Sequence, residues 1–189
     1  MNKHRVFIAI NLPEKLRKFL IDYQNQWKNL PVRWVNPNSI HLTLVFLGYL
    51  SDEEIGKVCQ NIKEVGPKHY PFSISFTNIG YNSIQKEIPR LIWVTGEKSE
   101  ELIFLKNDVE KSLSESIGFS PDNRGFIPHI TLGRVKKWSW MKIEPDERPN
   151  VSQDISLNFE VKSFEVMESE LKRMGPKYTI LESVTLEKL

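Results

Sequence analysis

The sequence predicts mixed strands and helices folded into two similar lobes related by a pseudo-twofold axis. Three observations predict it. Short apolar segments alternate with amphipathic helical stretches along the chain. A strand–helix–strand unit opens at Arg5 and closes on His41-Leu-Thr-Leu44, and a similar unit opens at Arg90 and closes on His129-Ile-Thr-Leu132. Finally, 189 residues, 40 % hydrophobic and 26 % charged, suit one domain able to bury about 70 % of its extended surface without disulfides or metals. Repeated units of this size put matching residues on either side of one cleft, with the two His-x-Thr strands facing each other.

Residues 5–10 open on Arg5 and continue as an apolar run rich in β-branched side chains, hence a buried strand. A helix follows, with Asn11 as its cap, Pro13 in the first turn and Glu14 three residues after the cap. Leu16, Phe19, Leu20, Tyr23 and Trp27 share one face of it. Residues 40–48 form the next strand. Ser51 and Glu54 make a capping box for a second helix that turns Ile55, Val58, Cys59, Ile62 and Val65 inward and stops at Gly66-Pro67. Cys59 then reads as a small core residue.

Alternation over residues 72–76 predicts a half-exposed strand, and residues 91–94 an apolar one. Ser99 caps a third helix with Leu102, Leu105, Val109 and Leu113 inward, closed by Gly118. Residues 128–135, 159–166 and 178–186 supply three more strands. The polar stretch 142–153, carrying Pro145 and Pro149, reads as a long loop.

Several function classes lack their parts. No run approaches 18 apolar residues, which excludes a membrane-spanning helix. The apolar residues 6–10 are too few for a secretory signal and no small-residue cleavage site follows them. A single cysteine, Cys59, forbids an internal disulfide and fits a reducing compartment, so the cytoplasm is expected. There is no Gly-x4-Gly-Lys phosphate loop, no Lys-x-Asp-Gly, no Gly-x-Ser-x-Gly and no His-Glu-x-x-His or His-x-His, and one cysteine cannot build a zinc site. Net charge is only +2, yet residues 1–40 and 121–145 are basic while the rest is acidic. That distribution fits a localised anionic partner as readily as chance clustering on a solvated surface.

His-x-Thr-Leu seen once is a weak signal; seen twice by chance it comes to roughly one in ten thousand. On a strand, His and Thr two apart share one face while Leu42, Leu44, Ile130 and Leu132 point to the other. Two facing imidazoles are the parts of concerted acid–base catalysis, one neutral and taking a proton, the other charged and giving one. The hydroxyls of Thr43 and Thr131 can donate to non-bridging phosphoryl oxygens. An arginine would supply charge for a dianionic transition state, and Arg124 and Arg134 flank the second motif. Strict alternation puts Arg134 on the face opposite His129, so it reaches the site only if Gly133 bends or bulges the strand. His4 and His69 read as surface residues.

At these residues a family resemblance emerges. Val32-Arg-Trp-Val-Asn-Pro-Asn-Ser-Ile-His-Leu-Thr-Leu-Val-Phe-Leu-Gly48 resembles the first motif region of the RNA 2′,3′-cyclic phosphodiesterases, first named 2′-5′ RNA ligases, of the two-histidine (2H) phosphoesterases. Arg124-Gly-Phe-Ile-Pro-His-Ile-Thr-Leu-Gly-Arg134 resembles the second. Ser169-Glu-Leu-Lys-Arg-Met-Gly-Pro-Lys-Tyr178 resembles the C-terminal segment, and residues 5–10 the opening strand. The long tryptophan-containing stretch after Arg134 is the least family-like part.

The resemblance implies a bilobal α+β fold over residues 1–189 as a single domain, with two antiparallel sheets flanked by helices around a central cleft. It implies opening of an RNA 2′,3′-cyclic phosphate to a 2′-phosphate without metal or cofactor, and a reverse, ATP-independent 2′-5′ joining of tRNA half-molecules. His41 matches the proton donor to the departing 3′ oxygen and His129 the proton acceptor that activates water. Thr43 and Thr131 match the phosphate-binding threonines, and Arg134 the phosphate-contacting arginine. A monomer is expected, with no membrane partner. Phe7 and Phe126 could stack a base, although apolar strand residues are core first. Lys136, Trp138 and Trp140 alternate onto one strand face and either stack a base or pack against the neighbouring lobe. The alternative function is a non-catalytic nucleotide- or RNA-binding module of the same fold; retention of both histidines and both threonines favours the enzyme.

Overall fold

The computed structural model describes residues 3–82, 88–121, 125–172 and 175–187. Strand β1 (His4–Asn11) is buried on both faces, which is why residues 6–10 are all apolar instead of alternating. Val6, Ile8 and Ile10 enter the main core, while Phe7 and Ala9 join Met167 in a smaller cluster on the other face. Helix α1 (Glu14–Gln26) follows, then β2 (Val32–Trp34), β3 (His41–Leu50) and α2 (Asp52–Ile62). The capping box is formed in full: Ser51 Oγ accepts from the Glu54 amide, and Glu54 accepts from the Ser51 amide at 2.7 Å. Next come β4 (Phe72–Tyr81), β5 (Leu91–Gly96), α3 (Glu100–Ile117) and β6 (His129–Val135). Ser99 caps α3, and Gly118 closes it at φ 68°, the left-handed conformation that glycine adopts without cost. The chain ends with α4 (Lys137–Met141), β7 (Ser152–Val161), β8 (Ser163–Lys172) and β9 (Gly175–Thr185).

The strands form one antiparallel sheet in the order β7-β4-β5-β6-β3-β1-β8-β9, with β2 also paired to β6. Read outward from its centre, the halves match: β6-β5-β4-β7 on one side and β3-β1-β8-β9 on the other. The two expected sheets therefore join at β3 and β6, which meet at one residue pair, Leu42 with Ile130. That narrow junction lets the sheet curl and leaves a cleft on one face. Helices α2 and α3 pack together on the other face, over the core.

Several expectations need correction. Asn11 does not cap α1: it is the last residue of β1, and its backbone and side-chain N–H groups both donate to Glu165 Oε2. Pro13 occupies the cap position without a side-chain bond. The expected strand over 159–166 is the end of β7 and the start of β8, broken at Lys162. The expected loop over 142–153 holds a short 3-10 turn at Pro145–Glu147 and runs into β7. Lys136, Trp138 and Trp140 do not alternate on a strand, because residues 137–141 are helical. Trp140 is buried against Tyr81 and Trp138 is 75 % exposed, so the two rings part company. His4 and His69 are not free surface residues. His4 bridges Glu168 (2.6 Å) and Asp52 (3.1 Å), and His69 Nε2 sits 2.9 Å from Asp108. Cys59 is half-buried against the core.

Candidate active site

The chain before β3 prepares the first histidine. Pro37 starts a 3-10 turn over residues 37–39, capped by Asn36, whose side chain accepts from the Asn38 amide at 3.0 Å. That turn brings the Ser39 carbonyl within 2.8 Å of His41 Nδ1. A carbonyl only accepts, so Nδ1 carries the proton and Nε2 is the atom presented to the cleft. His41 Nε2 lies 3.0 Å from Thr43 Oγ1, the pair two residues apart on one strand face. The ring packs against Phe7 (centroids 5.0 Å apart) and edge-on against Tyr178 (5.2 Å).

The second histidine repeats this arrangement. His129 Nδ1 lies 2.8 Å from the Ile127 carbonyl, again two residues upstream, so Nε2 again faces outward. Its ring stacks on Trp93, centroids 3.9 Å apart and planes 25° apart. Antiparallel register around the Leu42–Ile130 pair sets His41 across from Thr131 and Thr43 across from His129. Both imidazoles are pushed below the ordinary histidine value. Burial is the main cause at each, partly offset by the carbonyl that Nδ1 faces, and at His41 a charge on His129 lowers it further.

Arg134 reaches the cleft through a bulge. Ile92 pairs with Gly133 but Trp93 pairs with Thr131, so Leu132 is an extra residue in β6 and the alternation shifts by one. An equivalent shift lies in β3, where Ile8 pairs with Val45 and Ala9 with Thr43, leaving Leu44 extra. The sequence carried no sign of what pins the bulge. The Leu132 carbonyl accepts from the Val35 amide at 2.9 Å and from Gln24 Nε2 at 3.1 Å; Gln24 also donates to the Val35 carbonyl at 3.0 Å. Gln24 is 6 % exposed, a polar residue on the buried side of α1 where the helical pattern anticipates only apolar ones. Gly133 has no room for a side chain, since a Cβ there would meet Val32 and, at 2.9 Å, the Trp34 ring.

Two hollows meet at the histidines. The first, about 710 Å³, is bordered by His41, Thr43, His129 and Thr131 together with Arg5, Arg33, Arg134 and Tyr178. Burial raises the Tyr178 hydroxyl pKa, while the charges of Arg134 and Arg5 pull it back, so both arginines lie near that ring. The second, about 430 Å³, shares Thr43, Phe46 and His129 with the first and continues between Trp93, Phe126 and the α3 residues Lys106 and Glu110. Of the expected site residues, the structure thus brings together His41, His129, Thr43, Thr131 and Arg134. Phe7 is 3 % exposed and forms a wall beneath His41. Phe126 borders the second hollow, and Arg124 lies outside the described residues. Ser39, Ile127, Trp93, Tyr178 and Phe46 belong to the site without having been singled out; only the matching offsets from each histidine could have signalled the two carbonyls.

The family model for LigT like phosphoesterases matches the chain twice, at residues 6–93 and 92–178. Among curated proteins, the RNA 2′,3′-cyclic phosphodiesterase of Thermotoga maritima is 30 % identical, covering 94 % of this chain and 92 % of its own. That of Archaeoglobus fulgidus is also 30 % identical, with 92 % and 96 % covered. Among solved structures, a Thermus thermophilus protein superposes with a TM-score of 0.83 at 28 % identity, covering 97 % and 98 %. Escherichia coli LigT bound to 3′-AMP superposes with a TM-score of 0.76 at 24 % identity, covering 98 % and 99 %, and shares the fold.

Proposed function

The chain belongs to the LigT-like phosphoesterase family, and from that premise we propose that it is an RNA 2′,3′-cyclic phosphodiesterase producing a 2′-phosphate end. The observation that carries the reading is the pair of imidazoles, each fixed through Nδ1 so that Nε2 faces the same cleft. The cyclic phosphate sits between them, its non-bridging oxygens bound by the Thr43 and Thr131 hydroxyls and by Arg134. Neutral His129 takes a proton from water through Nε2 as the water attacks phosphorus. Protonated His41 gives its Nε2 proton to the departing 3′ oxygen, and the 2′ ester remains.

Burial shifts both imidazoles toward the neutral form, which works against the charge that the acid needs. A phosphate anion beside His41 favours the imidazolium and supplies that charge. Arg5 and Arg33 lie farther along the first hollow and suit the phosphates of the preceding nucleotides. The ring of Phe126 is offered to a base at the rim of the second hollow, while Phe7 supports the His41 ring. With a 5′ hydroxyl in place of water, the same proton transfers join a cyclic phosphate end to that hydroxyl, which is the 2′-5′ joining proposed for tRNA halves. Both halves of the site come from one chain, so a monomer suffices. Among the described residues no helix is long and apolar enough to cross a membrane, and with Cys59 its only cysteine we assign the protein to the cytoplasm.

The test is a short RNA ending in a 2′,3′-cyclic phosphate, incubated with the protein in EDTA, with the terminus of the product identified. A 2′-phosphate formed in EDTA is the expected result. A 3′-phosphate reverses the leaving-group assignment, dependence on added metal removes the two-histidine mechanism, and tight binding without turnover identifies a binding module.

A further inference from the structure

The second hollow differs in chemistry from the first. The first is rimmed by arginines, as a phosphate path requires. The second has Phe46, Trp93, Phe119 and Phe126 around it, and among the described residues its charges are a pair that neutralises itself: Lys106 Nζ lies 2.6 Å from Glu110 Oε1, one helical turn apart on α3. Lys106 Nζ also lies 5.4 Å from the centre of the Phe126 ring. Such a pocket offers a phosphate no net positive charge and suits a flat, neutral group that carries both donors and acceptors at its edge. Because it opens on Thr43 and His129, a group tethered to the reacting phosphate can reach it. A base splayed from single-stranded RNA, stacked on aromatic rings and read along its Watson–Crick edge, meets that description.

We propose that the second hollow holds the terminal nucleobase and that the Lys106–Glu110 pair selects guanine; this rests on the cyclic phosphodiesterase reading above. A carboxylate has about four acceptor positions, so the bond from Lys106 to Oε1 leaves capacity for a ligand. Guanine presents N1–H and N2–H side by side, the bidentate match to a carboxylate, with O6 next to them for an ammonium. Adenine would turn its N1 lone pair toward the carboxylate. Uracil offers one N–H between two carbonyls, and cytosine offers an amino group beside an acceptor nitrogen. Only guanine offers the carboxylate two adjacent donors and, next to them, an acceptor for the ammonium. The largely buried setting of the pair makes the mismatches costly, since an unpaired buried group keeps its full desolvation penalty.

The experiment compares kcat/KM for otherwise identical RNAs ending in guanosine and adenosine 2′,3′-cyclic phosphate, for the wild type and for Glu110→Gln. A ratio cancels any loss of folded protein. We expect the wild type to favour the guanosine end by about 10–100-fold. Glu110→Gln should reverse the order, because an amide donates to adenine N1 and accepts from its N6 amino group. Calorimetric binding of 2′-GMP and 2′-AMP reads the same preference without turnover. Equal rates and affinities for the two bases, or a ratio unchanged in Glu110→Gln, overturn the assignment. Absent turnover with 2′-GMP still bound the more tightly would remove the activity reading and leave the guanine assignment standing.

Discussion

Phe46 and Arg134 occupy equivalent places in the two halves and carry opposite chemistry. Each follows its histidine by five positions, and each is turned into the cleft by a bulge one residue after the threonine, at Leu44 in β3 and at Leu132 in β6. Without the bulges both would lie on the face that packs against the helices. The pseudo-symmetry therefore extends to the backbone irregularity and breaks only in the side chain. One half supplies an aromatic surface, 63 % exposed, and the other a cation.

That asymmetry gives the site a cation at Arg134 that the other half does not match at the equivalent position. Arg134→Ala should lower kcat/KM by about 10²–10³-fold on a cyclic phosphate end, with Arg134→Lys intermediate because a point charge replaces a bidentate fork. Steady-state kinetics on the three proteins decides it. An Arg134→Ala enzyme with undiminished kcat/KM would show that the bulge serves packing alone.

The division of labour between the histidines is tested through the leaving group. Replacing either by Ala should lower turnover by about 10²–10⁴-fold with a much smaller change in substrate binding. A substrate whose 3′ oxygen is replaced by sulfur needs little protonation to depart. It should largely rescue His41→Ala and leave His129→Ala impaired. Rescue of the His129 variant would exchange the acid and the base, and rescue of neither would argue against proton donation at the leaving group.

The pH dependence follows from the burial of both rings. The acid must be protonated, so the rate falls as pH rises through its pKa; the base must be neutral, so the rate falls as pH drops through its own. Both lie below 6.5 in the free protein, which places the bell of kcat/KM on the acid side of an ordinary histidine pair. Bound phosphate favours the imidazolium, so the alkaline limb of kcat should sit at higher pH than that of kcat/KM. Coincident limbs, or a kcat/KM limb above the ordinary histidine value, would contradict the proposed charging by substrate.

Much of this was legible because local rules govern it. The capping box at Ser51–Glu54, the Gly118 stop and the apolar faces of α2 and α3 each depend on residues a few positions apart. The repeated His-x-Thr pattern located the cleft, because period-two geometry holds wherever a strand is regular. What escaped depends on tertiary partners. Asn11 has the sequence of a cap, yet Glu165, far along the chain, claims its donors and extends β1 instead. The alternation of Lys136, Trp138 and Trp140 failed because three residues fit a helical turn as readily as a strand. Arg134 looked misdirected because the bulge is set by α1 and β2, elements outside its own strand.

His4 links β1 to Glu168 of β8 and to Asp52 at the start of α2. The hydrogen bond and charge of Glu168, with help from Asp52, raise its pKa above 6.5. A raised folded-state pKa gives stability that is fully present below the unfolded value and is lost as pH rises through the folded one. The Tm advantage of wild type over His4→Gln should therefore be largest below pH 6.5 and shrink on the alkaline side. Thermal unfolding across that range measures it, and a gap independent of pH would mean that the ring acts by packing and not by charge.

Gln24 should act on the phosphate through Arg134, without touching the substrate itself. Its amide holds the Leu132 and Val35 carbonyls, one on the bulge and the other just past β2. Gln24→Ala removes the side-chain donor from the Val35 carbonyl and one of two donors from the Leu132 carbonyl, a loss of about 1–3 kcal/mol, or a Tm lower by several degrees. A purely structural loss would stop there. If the amide also fixes the bulge, Gln24→Ala raises KM for the cyclic phosphate end while leaving the imidazole pH limbs in place. The decisive measurement is the double variant. Residues acting through one interaction are non-additive, so Gln24→Ala should raise KM in the wild type but add little once Arg134 is already Ala. Full additivity of the two KM effects would separate Gln24 from Arg134 and reduce its role to stability.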